Sequence, residues 1–288
     1  MMQVYLNGSF VDSATAMVPA MDRGFLFGDG VYEVVRYFDG RPVDLDGHVE
    51  RLRWGLDQLE IRGFDAPDIG PLGSTLLTHN RLKDAATYWH VTRGTEPIRS
   101  HVPAVTGLTP TVFGFCWQLP PLSESQNPQA VEARLYPDVR WARCDIKSLN
   151  LMGSVLAKME AAKYDAAEAI LHRDGFVTEG STTNVWIVNE AGTVITPPTD
   201  EGNPILHGIT RKMLIGADVD VQVRPVPIDA LMSAQEVMLT STTRLMVAVT
   251  AVDGIQIGDG RVGPVCRRLY DALLRVVIND TSASAATT

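Results

Sequence analysis

A polar stretch bounded by prolines, 120–128, divides the chain into two parts that each carry strand and helix signals. Its prolines enclose serine, glutamate, glutamine and asparagine, a composition typical of a linker between domains. A chain of 288 residues that is 45% hydrophobic is long enough to bury two cores. We therefore predict an N-terminal domain over 1–119, a linker over 120–130, and a C-terminal domain over 131–288 that ends in a disordered tail at 281–288.

Both parts mix strand and helix patterns, which predicts an α/β (α+β) fold. Asn7-Gly8 lies between two short strand-like runs and predicts a hairpin with positive φ angles in its turn. Val31 to Phe38, followed by Asp39-Gly40, predicts a second hairpin. In the C-terminal part, the pattern predicts a strand over Val139 to Cys144 and an amphipathic helix over Leu151 to Tyr164.

The overall charge excludes some classes of partner. A net charge of −9 argues against nucleic acids and anionic membranes, and we predict neither as a partner. No apolar run has the length of a bilayer span, and the first residues do not have the pattern of a signal peptide. The three cysteines, which are widely spaced, predict neither a metal site nor a disulfide framework. We expect a cytoplasmic protein with reduced thiols.

One lysine differs from the others in its setting. The chain has 20 arginines but only five lysines, and Lys147 follows the predicted strand in a short turn before a helix start at Asn150. Connections of this kind often present functional side chains. An amine held there can form a Schiff base with an aldehyde cofactor. For the lysine taken alone, a solvated surface charge is the simpler interpretation.

Further motifs match what pyridoxal phosphate requires of a protein. Glu179, in the run Thr178 to Asn184, could bind the ring nitrogen. The run Gly208 to Arg211 begins a predicted helix, where backbone N–H groups favour a phosphate. Thr240 to Thr243 offers hydroxyl and amide donors, and Arg51 offers charge. Each motif alone could be an ordinary turn, helix cap or surface charge, but together they favour this cofactor.

At these motifs the chain resembles the class IV, fold type IV pyridoxal-phosphate aminotransferases. That family includes D-amino acid aminotransferases, branched-chain aminotransferases and aminodeoxychorismate lyases, and the chain resembles the bacterial D-amino acid enzymes most. The similarity extends from about Val4 to Tyr270. The similar segments are Asp22 to Val35, His48 to Leu52, Val91 to Thr95 and Arg143 to Leu151.

Carried over by position, the resemblance implies roles for individual residues. Lys147 would be the Schiff-base lysine and the acid–base catalyst. Glu179 would bind the pyridine nitrogen, and Leu206 would pack against the ring. The phosphate would be held by Arg51, Ile209, Thr210, Thr242 and Thr243. The substrate α-carboxylate would be bound by Tyr32, Arg99 and His101.

The resemblance also implies an architecture and a reaction. The fold would have a small N-terminal α/β domain and a larger C-terminal pseudo-barrel domain. Arg99 and His101 would reach the site of a neighbouring subunit, which implies a homodimer with shared active sites. The reaction would be a ping-pong transfer of the amino group from a D-amino acid, the small-molecule donor, to a 2-oxo acid acceptor.

Three departures from the family pattern keep alternatives open. Trp186 replaces the expected Phe or Tyr, the loop at 197–204 is longer, and one residue separates Pro97 from the Arg99-x-His101 pair. An (R)-selective amine transaminase would need no carboxylate site and fits a displaced pair. A branched-chain L-amino acid aminotransferase would have apolar residues around Arg99. A non-catalytic cofactor-binding or assembly protein is an alternative from another class, and the presence of both Lys147 and Glu179 argues against it.

Overall fold

The computed structural model describes residues 2–104, 107–200, 204–217 and 219–283. The chain forms two compact units. Of the described residues, the first contains those of 2–123, Ile146–Asn150 and 280–283, and the second contains those of Glu124–Asp145 and Leu151–Asn279. The sequence pattern does not indicate that Ile146–Asn150, which includes Lys147, belongs with the first unit.

A six-stranded sheet forms the framework of the first unit. The strand order is β2-β1-β6-β5-β3-β4, and every pairing is antiparallel. The predicted turn at Asn7-Gly8 is present, with φ angles of 46° and 94°. The strands are β1 (Gln3–Leu6), β2 (Ser9–Asp12), β3 (Gly30–Phe38), β4 (Arg41–Pro42), β5 (Ala85–Thr92) and β6 (Val112–Gln118).

Helices cover one face of this sheet because alternate strand residues are apolar. Val31 and Val35 of β3, with Trp89 of β5, are buried in one cluster with Leu52 and Leu76 from the helices. The helices of this unit are α1 (Arg23–Phe27), α2 (Leu45–Gln58) and α3 (Ile69–Asn80), with a 3₁₀ turn at Ala66–Asp68 and another at Leu122–Glu124.

A carboxylate lies on the helix-facing side of this sheet. The period-two alternation of β3 places Glu33 between Val31 and Val35, where it is completely buried. Arg51 donates to both of its oxygens, at 2.9 and 2.6 Å, and His48 Nδ1 lies 2.9 Å from Oε1. Burial alone would raise the pKa of Glu33, but Arg51 and His48 outweigh it and hold the pKa well below its usual value.

The segment Ile146–Asn150 is attached to the start of β3. The Tyr32 amide donates to the Lys147 carbonyl at 3.0 Å, and the Leu149 amide donates to the Gly30 carbonyl at 3.1 Å. Ser148 forms a β-bridge with Val31, and the Ile146 side chain belongs to the core of the unit. Backbone pairing and one buried side chain therefore fix the chain on both sides of Lys147.

A ten-stranded mixed sheet forms the framework of the second unit. Its order is β12-β11-β10-β14-β15-β7-β8-β9-β13, and β16 pairs with β15. Strands β7 (Gln129–Pro137) and β15 (Leu245–Val252) are parallel neighbours at its centre. The other strands are β8 (Glu168–Arg173), β9 (Phe176–Gly180), β10 (Asn184–Val188), β11 (Val194–Thr196), β12 (Val221–Val223), β13 (Val226–Pro227), β14 (Glu236–Ser241) and β16 (Ile255–Gln256).

Four helices accompany this sheet: α4 (Met152–Ala162), α5 (Ile209–Gly216), α6 (Ile228–Met232) and α7 (Pro264–Ala283). Helix α7 continues past 281, where we predicted a disordered tail, and 284–288 lie outside the described residues. Across the described ranges, none of the helices combines the length and apolar composition required to cross a lipid bilayer.

The strand predicted over Val139 to Cys144 is wrong. Strand β7 ends at Pro137, and 138–145 follow as irregular backbone. The alternation there has another cause: Val139 and Trp141 are exposed, whereas Arg140 between them is turned toward buried carboxylates. The alternation of apolar and charged residues at 139–141 therefore accompanies the ion pairs of Arg140 and not a β-strand.

The Glu33 cluster generates a prediction about acid stability. Glu33→Gln should lower the free energy of unfolding at pH 7 by about 3 kcal/mol, because it leaves Arg51 buried without its carboxylate. Since the folded pKa of Glu33 is lowered, its stabilisation is complete above the ordinary pKa of 4.5 and decreases as the pH falls below that value. The difference in the free energy of unfolding between the parental and variant proteins should therefore decrease by about 1.4 kcal/mol for each pH unit below 4.5.

Urea unfolding at pH 7, 4.5 and 3.5 measures this effect. Glu60→Gln is the matched control, because Glu60 is an exposed glutamate of the same unit. A difference that stays constant from pH 7 to pH 3.5 would contradict the prediction.

Candidate functional site

Lys147 occupies the centre of a tight turn in the first unit. The Ser148 amide donates to the Ile146 carbonyl at 2.8 Å, which closes a three-residue turn around the lysine. Ile146 and Ser148 are buried, whereas Lys147 is half-buried, so the turn directs only the lysine outward. Among the described residues of its unit, no carboxylate pairs with its ammonium group. The turn therefore presents the amine without an ionic partner among those residues.

Aromatic rings lie beside this amine. The Lys147 Nζ is 4.1 Å from the centroid of the Tyr32 ring, in cation–π geometry. Tyr32 stacks on Tyr88, with ring centroids 5.4 Å apart, and the Tyr88 hydroxyl lies 3.1 Å from His90 Nδ1. Burial raises the pKa of Tyr88, so its hydroxyl stays protonated near neutral pH. The lysine thus faces a flat, uncharged aromatic surface with hydroxyl groups at its edge.

Arg99 and His101 lie in the segment that follows β5, around the ring of Phe27. The Arg99 guanidinium is 4.6 Å from the Phe27 centroid, and the His101 ring is 5.4 Å from it. The structure therefore brings these two predicted residues together on one aromatic side chain. Within the described part of the chain, Tyr32 forms no hydrogen bond with either of them.

Arg51, a predicted phosphate ligand, makes a two-point contact with Glu33 in the first unit. This contact fixes the plane of its guanidinium group. Its role at a phosphate stays a prediction.

Glu179 lies near the end of β9 in the second unit and is buried. Arg140 Nη1 donates to its Oε1 at 2.6 Å, and Asn184 Nδ2 donates to its Oε2 at 3.2 Å. The Leu206 amide lies 3.2 Å from both oxygens, and the Leu206 carbonyl accepts from Asn184 at 3.1 Å. Glu179 and Leu206, predicted for the nitrogen and the face of one ring, are therefore directly linked.

Arg140 is shared between two carboxylates. It binds Asp138 through Nε at 2.9 Å and Nη2 at 2.8 Å, while Nη1 binds Glu179. Asp138 also accepts from the Thr178 hydroxyl at 2.9 Å. Burial raises the pKa of Glu179 above its usual value, and Arg140 offsets this only in part. Glu179 is therefore a carboxylate with increased affinity for a proton.

The other predicted cofactor residues of this unit lie near the same end of its sheet. Asn184 begins β10 and pairs with Thr240 at the end of β14, and the turn after β14 contains Thr242 and Thr243. Helix α5, which packs on β14, begins at Ile209 with Thr210 in its first turn. Its cap residue, Gly208, provides no side-chain hydrogen bond to the first turn. The backbone donors of an uncapped helix start favour an anion.

Gly208 is also restricted by its surroundings. A Cβ atom built on it would collide with Asn184 Oδ1, the amide group that links Glu179 to Leu206. A glycine is therefore needed where the helix start approaches the carboxylate.

Sequence reasoning missed several residues of these clusters. Arg140 is 39 positions from Glu179, so no local pattern connects them. Asn184 is part of the quoted motif, but the motif alone assigns it no partner. Glu33 had a usable signal, because a charged residue interrupts an otherwise apolar strand face between Val31 and Val35.

Comparison with known proteins identifies relatives over the whole chain. The profile of the amino-transferase class IV family matches residues 30–252. The D-alanine aminotransferase of Staphylococcus haemolyticus is 36% identical over 98% of this chain and 100% of that protein. The D-alanine aminotransferase of Bacillus licheniformis is 37% identical over 98% of this chain and 99% of that protein.

Solved structures share the fold. A branched-chain aminotransferase from Thermoproteus uzoniensis superimposes with a TM-score of 0.84 at 23% identity, over 97% of this chain and 95% of that chain. The branched-chain enzyme from Escherichia coli gives 0.84 at 23% identity, over 97% and 96%. These similarities confirm the predicted α/β (α+β) fold of type IV. With a family match that covers most of its length, this chain is a member of the class IV amino-transferases.

Proposed function

We propose that this protein is a pyridoxal-phosphate-dependent transaminase that moves the amino group of a D-amino acid to a 2-oxo acid. The observation that carries the proposal is the setting of Lys147: backbone pairing fixes its main chain, its amine lies over the Tyr32 ring, and none of the described carboxylates of its unit pairs with that amine. The relationship to enzymes named D-alanine aminotransferase supports the D-amino acid as donor.

The residues present fit the cofactor. A free amine suits its aldehyde, and the buried carboxylate of Glu179, with its raised pKa, suits a proton shared with a pyridine nitrogen. The uncapped start of α5 at Ile209 and Thr210 suits its phosphate. Arg51, Leu206, Thr242 and Thr243 complete the proposed binding set.

Each of these residues has a defined task in the proposed reaction. When bound, pyridoxal phosphate withdraws electrons from the Cα atom of the amino acid. Lys147 would take the Cα proton as a base and, as an acid, deliver it to the former aldehyde carbon of the cofactor; returning it to Cα would racemise the donor and transfer no amino group. The negative charge of Glu179 would keep the ring nitrogen protonated. Arg140 and Asn184 hold the Glu179 carboxylate in one orientation. The Leu206 side chain would pack against the ring.

Arg99, His101 and Tyr32 would select the donor. A guanidinium fork binds a carboxylate through two parallel hydrogen bonds, and an imidazole or phenol can add a third from another direction. We propose that Arg99 and His101 serve the site of a second subunit and that Tyr32 serves its own. A carboxylate bound there would present the Cα proton of a D-amino acid to Lys147.

The exposed apolar residues around this segment support a homodimer. Phe25, Ile98 and Val102 are each about three-quarters exposed, at 77%, 75% and 76%. Such a concentration of apolar surface is typical of an interface, and we propose a second copy of this chain as its partner. The thiols of Cys116, Cys144 and Cys266 are free and buried, which supports a cytoplasmic location.

A second candidate function follows from one feature of the sequence. The residue that separates Pro97 from the Arg99-x-His101 pair leaves an (R)-selective amine transaminase as the alternative, because such an enzyme needs no carboxylate ligand. A branched-chain L-amino acid aminotransferase is less consistent with a charged Arg99 and His101. A screen of D-amino acids, L-amino acids and (R)-amines against pyruvate and 2-oxoglutarate distinguishes the three.

Lys147→Ala should reduce transamination to near background and abolish covalent attachment of the cofactor. The fold should survive, because the backbone bonds that hold the turn do not involve the lysine side chain. Borohydride reduction followed by peptide mass spectrometry, with circular dichroism for the fold, measures both effects. Lys83→Ala, at a lysine whose side chain is 77% exposed, is the control. Substantial transamination by Lys147→Ala would refute the assignment.

Glu179→Gln should retain the cofactor but slow removal of the Cα proton by about 100-fold. An ionic hydrogen bond that strengthens in the transition state contributes about 3 kcal/mol, which corresponds to a loss of this size. Stopped-flow absorbance of the cofactor during a single turnover with D-alanine measures the step. Glu190→Gln, an exposed glutamate of the same unit, should have the parental rate. A parental rate in Glu179→Gln would mean that another group protonates the ring.

Arg99→Leu should lower the activity toward D-alanine and D-glutamate far more than the activity toward (R)-1-phenylethylamine, which has no carboxylate. The loss should appear in kcat/KM, at about 2–4 kcal/mol for a charge-assisted contact removed from water. Arg62→Leu, at an arginine whose side chain is 69% exposed, is the control. Equal losses on all donors, or a parental preference for L-amino acids, would overturn D-specificity and leave the aminotransferase function intact.

A further inference from the structure

The segment that carries Arg99 and His101 has no regular secondary structure. We call residues 96–104 the carboxylate loop; its backbone runs through bends without a strand or helix. Glu96 at its start is buried, and its Oε1 accepts from the Ala104 amide at its end, at 2.6 Å. One carboxylate therefore closes the loop. Closure alone does not fix the residues between the two ends.

Arg23 contacts the middle of the carboxylate loop. This residue begins α1, where the Asp22 side chain caps the helix, and it is 3% exposed. Its Nη1 donates to the Ser100 carbonyl at 2.7 Å, and its Nη2 donates to the His101 carbonyl at 3.3 Å. The same Nη1 lies 2.5 Å from Glu96 Oε2. A single guanidinium therefore holds the carboxylate that closes the loop and the backbone beside Arg99.

Arg23 is anchored in turn from its other side. Its Nε donates to Asp29 Oδ2 at 2.7 Å, and Asp29 also accepts two bonds from Arg93, at 2.8 and 3.0 Å. Arg93 reaches the end of α2 through the Leu59 carbonyl, at 2.6 Å. Burial would raise the pKa of Asp29, but the two arginines outweigh it and lower the pKa. The carboxylate loop is thus connected to a long helix of the first unit by charged groups.

The Phe27 side chain contacts Arg23 and also the Arg99 and His101 side chains of the loop. Its ring lies 4.9 Å from the Arg23 guanidinium and 4.6 Å from the Arg99 guanidinium, and 5.4 Å from the His101 ring. Arg23 therefore fixes the backbone of the loop and also contacts the ring on which both side chains pack.

We propose that Arg23 is a positioning residue that presets the carboxylate loop, so that Arg99 and His101 are in place before substrate binds. This inference rests on the proposed function, in which these two side chains bind the substrate carboxylate. Without Arg23, the loop would populate many conformations, and binding would have to offset the entropy of ordering it. The cost would fall on substrate affinity, because Arg23 does not contact the lysine that transfers the proton.

The geometry requires an arginine. The four acceptors of Arg23, two carboxylates and two carbonyls, lie in different directions around one planar group. An ammonium group has three donors at one point and cannot span them. Arg23→Lys should therefore keep the charge but recover only part of the function.

The test compares Arg23→Gln, Arg23→Lys and Glu96→Gln in the holoenzyme, with Arg62→Gln as the exposed arginine control. Steady-state kinetics with D-alanine should show KM raised at least 10-fold in Arg23→Gln, with kcat within 2-fold of the parental value. KM for (R)-1-phenylethylamine, measured through the first half-reaction where turnover is slow, should change less than 2-fold. Arg23→Lys and Glu96→Gln should give intermediate values for D-alanine.

Hydrogen–deuterium exchange supplies a readout independent of activity. Peptides that cover 96–104 should exchange faster in Arg23→Gln, while peptides from β3 and β5 should keep the parental rate. Faster exchange across the whole chain would indicate a general loss of stability and would overturn a positioning role. Glu96→Gln keeps the other bonds of Arg23, so it tests the proposal if Arg23→Gln fails to fold.

Kinetic outcomes separate this inference from the proposed function. If the parental enzyme uses D-alanine but Arg23→Gln keeps the parental KM, the positioning role is wrong and the function stands. Equal losses of kcat on both donors would also overturn it. If the parental enzyme does not use D-amino acids, the proposed function fails, and with it the role of the loop in carboxylate binding.

Discussion

Backbone hydrogen bonds between the Lys147 turn and the start of β3 determine the position of the lysine backbone. They place Lys147, distant in sequence, in the first unit beside Tyr32. Gly30 makes this pairing possible, because a Cβ there would collide with the Val91 carbonyl and the Leu149 side chain. Since main-chain groups make the attachment, the position of the Lys147 backbone does not depend on the lysine side chain.

Two buried carboxylates show how the same environment can have opposite effects. Glu33 is bound by Arg51 and by a histidine, and these contacts lower its pKa. Glu179 shares Arg140 with Asp138, and its pKa rises. Burial opposes ionisation of both carboxylates, so the difference lies in how much positive charge the neighbouring side chains place beside each one. The first is a permanent ion-pair partner, and the second can share a proton.

Local chemistry explains what could be predicted from the sequence. The turn at Asn7-Gly8 depends only on adjacent residues, and it is present in the structure. The turn at Lys147 and the helix start at Ile209 were likewise recognisable from short patterns. The contacts of Arg140 with Glu179 and of Arg23 with Glu96 were not, because these partners lie 39 and 73 positions away. Such pairs are set by tertiary packing, and an alternating pattern around Arg140 even resembled a strand.

The hydrogen bonds of Leu206 have a consequence for how this enzyme family can diversify. Its amide and its carbonyl form hydrogen bonds with Glu179 and Asn184, at the end of the segment that follows β11. An insertion in that segment ends at a fixed anchor, and the entropy of a longer loop grows only slowly with length. Loop length can therefore vary between relatives while the carboxylate of Glu179 stays in place.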